Sequence, residues 1–203
     1  MHRLATSCCA ITIVVSVAAL IWDPPSDPTV QAEPAAPAAP AALPAVSSDP
    51  EVVIVGAATA AERRRVDDAV ASFRAGLGLP DVEVRFSTVP DDCLGHYGLF
   101  QEQYRPWRIT ICSEIGFVML HEFGHAWERA NLDVDEREAY AARRGFPTWN
   151  SLEFPREERA AEEAAFVLQQ VLSRTNPPDN DRWRDITAAY DALLELADVA
   201  DGV

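Results

Sequence analysis

The sequence contains no lysine. All 17 basic residues are arginine, set against 32 acidic ones for a formal charge of −15. Without lysine there is no Walker-type phosphate loop, no Schiff-base amine and no Ser–Lys dyad. The shortage of positive charge makes nucleic acid and anionic lipid poor partners, because each repels an acidic chain across a Debye length. Histidine is scarce too, at four residues (2, 96, 121 and 125), and so is cysteine, at four (8, 9, 93 and 112). No internal repeat is visible. What is plentiful is apolar surface: the hydrophobic share of 48% excludes wholesale disorder. The chemistry of such a chain has to come from His, Glu, Asp, Cys or Tyr.

The N-terminus has the build of an export signal. His2 and Arg3 precede an apolar run from Cys8 to Trp22, shorter than the roughly 20 residues a membrane-crossing helix needs. Val30-Gln31-Ala32 offers a small-x-small cleavage site. The alternative is an uncleaved anchor, with a membrane tether through residues 5–22. Cys8 and Cys9 lie inside the apolar run, where a lipoprotein-type cysteine would follow it, and are read as inert. Residues 23–50 are mostly Pro and Ala, which cannot join a sheet or a long helix and read as an extended spacer. A folded domain is therefore expected over 51–203, in an exported chain that is secreted or held at the outer face of the membrane.

Within that domain, β-branched or alternating segments predict strands at 51–55, 82–86 and 108–112, with a loop between the last two. Helical spacing of apolar residues predicts helices at 59–77, 114–130, 134–144, 156–174 and 181–199. Strands precede most of the helices, which is an α+β arrangement.

One stretch carries recognisable chemistry: His121-Glu122-Phe123-Gly124-His125, inside an apolar helical pattern. On a helix, His121 and His125 sit one turn apart on one face and can aim at one ion. Glu122 is rotated about 100° from His121. It can therefore act on water beside that ion without being a ligand, accepting a proton and later delivering it to a leaving group. The competing reading is a helix with two surface histidines and an ordinary glutamate.

This motif, preceded by the edge-like strand Arg108-Ile109-Thr110-Ile111-Cys112, resembles the zincin metallopeptidases. It is similar in particular to small exported proteins with an HExxH helix and a later Ala-Glu-apolar helix. The resemblance implies Zn2+ on His121 and His125, Glu122 as catalytic base, and a minimal zincin-like domain with a small, mostly antiparallel sheet. The metzincin branch wants Gly and His three and six residues past the second His; Glu128 and Asn131 stand there, so the likeness is to the gluzincins. These take a third ligand from a later helix, and the match places it at Glu162. Glu158 and Glu163 are alternatives that periodicity does not separate, with Asp133 or Asp135 further off. The bland reading of this glutamate run is a solvated acidic face.

Two imidazoles and one carboxylate leave zinc an open position for water. The implied reaction is hydrolysis of peptide bonds through a tetrahedral intermediate, with a peptide or protein substrate. Tyr140, His96, Tyr97 and Tyr104 are candidates to stabilise the oxyanion, although His96, in a loop between Gly95 and Tyr97, reads first as a surface residue. Cys93 and Cys112 are expected to pair in an oxidising compartment, free thiols being the alternative. Trp127 reads as core packing beneath the motif helix. The other functional reading is a catalytically silent zincin-like domain that binds zinc or a partner protein, and a purely structural zinc site is a third. Substrate identity and oligomeric state are not encoded in any pattern found.

Overall fold

Valine-rich segments become strands where the period of two predicts them. In a computed structural model, which describes residues 49–174 and 178–197, the run after Glu51 forms β1 (Val52–Val55). The alternating segment after Asp81 forms β2 (Val82–Phe86), with Val82 and Val84 fully buried. The expected leader at 1–22, most of the spacer at 23–50 and the end of the last predicted helix lie outside the described residues. No helix among the described residues is long and apolar enough to cross a membrane.

Helix α1 (Ala60–Arg74) connects β1 to β2. It opens on a capping box: the Glu62 amide donates to the Thr59 hydroxyl at 3.1 Å, and the Thr59 amide donates to the Glu62 carboxylate at 2.6 Å. Such a cap stabilises a helix by about 1 kcal/mol. Val66, Ala69, Val70 and Phe73 bury one face of α1, as their spacing predicts.

Two further strands, β3 (Gly98–Gln101) and β4 (Trp107–Ile111), complete a four-stranded sheet in the order β1-β2-β4-β3. β1 pairs parallel with β2 and β2 parallel with β4; β3 pairs antiparallel with β4. The sheet is mixed, which corrects the expectation of a mostly antiparallel one. The cause lies in the connections. Helix α1 carries the chain back so that β2 starts at the same end as β1, and only β3 and β4 are joined by a link short enough for a hairpin. A second correction concerns the strand before the motif helix. β4 is internal, and the edge on that side is β3, which has no β-branched residue and reads as loop in the sequence.

The remaining elements are α2 (Gly116–Asn131), α3 (Val134–Arg144), α4 (Ala160–Leu172) and α5 (Asp181–Leu196). α2 is central, packing on α1, on the sheet through β3 and β4, and most extensively on α4. Small residues permit that last contact. A Cβ built on Gly124 would stand 3.0 Å from the Cα of Ala165, and Ala160, Ala161, Ala164 and Ala165 are all buried. On the other side of α2, Phe73 and Phe123 meet edge to face at 6.1 Å. Trp127 is fully buried and its indole N–H donates to the Leu77 carbonyl at 3.2 Å, in keeping with a core role.

α4 starts later than its apolar spacing suggests. Arg156–Glu158 form a 3-10 turn and Arg159 is extended (φ −106°, ψ 125°). The Arg159 guanidinium donates to the Phe154 carbonyl at 2.8 and 3.0 Å. The first amides of α4, Ala160 and Ala161, donate backward to the carbonyls of Thr148 and Trp149. The preceding loop thus satisfies the helix N-terminus that a longer helix would otherwise continue.

Candidate functional site

The site forms where α2 faces the start of α4 under the edge strand β3. The i,i+4 spacing places His121 and His125 side by side, ring centroids 4.8 Å apart and nearly perpendicular at 84°. Glu162, in the first turn of α4, points its Oε2 between them, 3.4 Å from His121 Nε2 and 3.8 Å from His125 Nε2. One ligand atom from each of the three lies within 4.8 Å of the others. Among the described residues, no other three His, Cys, Asp or Glu side chains gather in this way.

The alternatives to Glu162 go elsewhere. Glu158 lies exposed on the 3-10 turn, and the break at Arg159 removes the one-turn relation to Glu162 that a continuous helix would give. Glu163, rotated about 100° from Glu162 on α4, faces α3, where it accepts from Arg144 at 2.7 Å and from the Tyr140 hydroxyl at 2.9 Å. Asp133 caps α3, and Asp135 is exposed in its first turn.

Glu122 is buried, at 3% exposure, and a strand backbone covers it. Gly98 of β3 stands so close that an added Cβ would fall 2.6 Å from Glu122 Oε1 and 2.7 Å from its Cγ. Burial pushes the Glu122 carboxyl above the ordinary carboxylate range, against the opposing pull of His125, His121 and Arg156. Glu162 goes the other way. Burial would raise it, but the hydrogen bond to His121, the charge of His125 and the Arg156 guanidinium hold it at about 2. Two glutamates within one cleft are therefore driven in opposite directions, one toward holding a proton and one toward permanent charge.

Two residues join the site that sequence reasoning missed. Glu128, one turn beyond His125, is buried and accepts from His125 Nδ1 at 2.8 Å, leaving Nε2 to face Glu162. Burial pushes its carboxyl well above the usual range, and its Oε2 has no hydrogen-bond partner. The only sequence signal was a glutamate three residues past the second histidine, a spacing that shares a helix face. Arg156 is the other. Its Nε lies 2.6 Å from Glu162 Oε2, and its Nη atoms reach 3.5 Å from His121 Nε2 and 3.4 Å from His96 Nδ1. A side-chain cation thus rests against the acidic ligand of the cluster.

A cavity of about 600 Å³ opens over these groups, with Gly98, Leu99 and Phe100 of β3 on one side and Trp149, Leu152 and Arg156 on the other. His96 is part of its lining, at the end of a loop that the Cys93–Cys112 disulfide ties to the strand end of β4, Cα to Cα 6.2 Å. The expected disulfide is therefore formed. Of the four candidates for oxyanion stabilisation, only His96 lines the cavity. Tyr140 is fully buried and committed to Glu163, Tyr97 is exposed, and Tyr104 stacks under the Arg108 guanidinium at 4.0 Å.

Comparison with known protein families, with curated proteins and with solved structures finds no match to this chain. The functional reading rests on the site itself.

Proposed function

We propose that this chain is an exported zinc-dependent peptidase of the zincin type, with His121, His125 and Glu162 as metal ligands and Glu122 as catalytic base. The observation that carries the reading is the convergence of a His pair, a third acidic side chain from another helix and a separate buried glutamate in one open cleft. The donor set fits zinc. Ligands held at about 2.0–2.1 Å by one tetrahedral ion lie about 3.4 Å apart, and His121 Nε2 and Glu162 Oε2 are already separated by 3.4 Å. His125 Nε2 stands slightly farther, at 3.8 Å.

When bound, zinc would supply a Lewis acid that polarises a carbonyl and acidifies water. The chain's own residues do the rest. Glu128 fixes the His125 ring so that Nε2 is presented to the cleft, the usual service of a carboxylate behind a metal-binding imidazole. Glu122, raised by burial, takes a proton from the attacking water and passes it to the departing amine. Gly98 holds the edge strand against that carboxylate, and the free edge of β3 offers an extended peptide a line of backbone partners. His96, beside Arg156, can donate toward the carbonyl oxygen as it gains charge.

The decisive experiment uses Glu122→Gln in the zinc-loaded chain. Peptide turnover is expected to fall by at least about 10²–10⁴-fold while zinc content by mass spectrometry stays at wild type. Full zinc occupancy with no cleavage by the wild type across a broad peptide library would replace this reading with a binding domain that does not turn over.

A further inference from the structure

The cleft is less acidic than the chain around it. In a protein with nearly twice as many acids as bases, this cavity is lined by four arginines, Arg129, Arg137, Arg156 and Arg159, against four glutamates, of which Glu102 and Glu162 are ion-paired to Arg129 and Arg156. Arg129 pairs with Glu102. The next two spend their hydrogen bonds on backbone. Arg137 donates Nε and Nη2 to the Leu132 carbonyl, and Arg159 donates the same pair of atoms to the Phe154 carbonyl. Neither forms an ion pair, and each keeps further N–H donors to offer. Burial, with the neighbouring Arg129, pushes the Arg137 guanidinium below its ordinary range, against the opposing pull of Glu128 and Glu102, neither of which bonds to it. Arg63 and Arg64 on α1 also form no ion pair, but they are exposed and solvated; Arg137 and Arg159 are half-buried and line the cleft. Arg156 pairs with Glu162 through Oε2, the same oxygen that faces the His pair.

We infer that the cleft selects peptides by a carboxylate, read by Arg137 and Arg159. The inference rests on the peptidase reading and names its substrate class. Guanidinium forks match a carboxylate in shape as well as charge. The attraction has to be local, because the chain as a whole repels anions. The carboxylate can belong to an acidic side chain or to the peptide C-terminus.

The test uses the full chain, zinc-loaded and carrying Glu122→Gln so that binding is seen without cleavage. Four alanine-based peptides with a neutral fluorophore are compared by anisotropy: central Glu with an amidated end, central Gln with a free C-terminal carboxylate, central Gln amidated, and central Lys amidated. At least one carboxylate peptide should bind about tenfold or more tighter than the neutral one, and the stronger arm identifies the source. Arg159→Gln and Arg137→Gln should abolish that preference, and Arg159→Lys and Arg137→Lys should keep part of it. Zinc content and melting temperature identify any variant that has lost its fold, for which the lysine form replaces it. Equal affinity for neutral and carboxylate peptides, or no binding of any of them, overturns the inference. Turnover by the chain with Glu122 intact separates the two claims. Cleavage without carboxylate preference sinks the inference and leaves the peptidase; carboxylate-selective binding without cleavage does the reverse.

Discussion

Glu162 and Glu163 are chain neighbours on α4, yet they belong to two differently built regions. Glu162 lies at the seam with α2, where Gly124 and Ala165 bring two helices to backbone contact and no ion pair crosses except toward the His pair and Arg156. Glu163 lies at the seam with α3 and α5, held by polar bonds: Tyr140 and Arg144 to Glu163, Arg144 on to Asp185, and Arg143 to Glu195. The first seam fixes position by excluded volume and keeps His125, Glu162 and Arg156 facing the cleft. The second ties Glu163, Arg144 and Arg143 to partners on α3 and α5, away from it. Acidic character alone therefore says little about role; what faces each carboxylate decides it.

The sharpest way to break this contrast is Glu162→Ala. Metal affinity should fall by more than about a hundredfold, beyond the loss that removing an outer partner causes, while the metal-free chain stays folded with only a modest loss from the part-exposed pair with Arg156; zinc titration monitored by a competing chelator measures it. Next comes Glu163→Ala, which leaves Arg144 and the Tyr140 hydroxyl without their shared acceptor. Denaturant unfolding of the metal-free chain should show a loss of about 2–3 kcal/mol, with metal affinity unchanged. Equal effects of the two substitutions on metal binding would erase the distinction between the seams.

Gly124→Ala probes the packed seam from its other side. A helical alanine is favoured by about 1 kcal/mol, but the added Cβ meets backbone atoms of α4 at 3.0 and 3.2 Å, an overpacking that costs typically 1–3 kcal/mol. The net is a loss of about 1 kcal/mol. Because α4 must move away from α2, metal affinity should drop about tenfold, a loss of about 1.4 kcal/mol that is comparable to the stability change. The smallest effect belongs to Arg143→Ala. Its ion pair with Glu195 is exposed on both sides, so unfolding should shift by less than about 0.5 kcal/mol. A larger shift would mean that the polar seam works as a network.

Much of this was legible in sequence for local reasons. Thr59 and Glu62 spell a capping box, the period of Val66, Val70 and Phe73 marks one buried face, and the His121–His125 spacing fixes their common side whatever surrounds the helix. β3 was not legible, because Gly98-Leu99-Phe100-Gln101 has no β-branched residue and opens on a glycine, and its strand is completed by pairing with β4. The choice among Glu158, Glu162 and Glu163 was equally hidden from periodicity. It depends on where α4 begins, which the carbonyls of Thr148 and Trp149 determine from outside the helix. Glu128 escaped notice because a carboxylate behind a histidine is meaningful only once burial and ring orientation are known.

The contact between Gly98 and Glu122 also bears on how such a cleft diversifies. One wall of it is a strand whose backbone is seated on the buried Glu122 carboxylate, so a side chain at position 98 would have to displace that group. New specificity has to be written on the opposite wall, in the irregular stretch from Trp149 to Arg159, where insertions and substitutions meet open space rather than Glu122. Gly98 thus divides the cleft into a part that chemistry holds constant and a part that selection is free to edit.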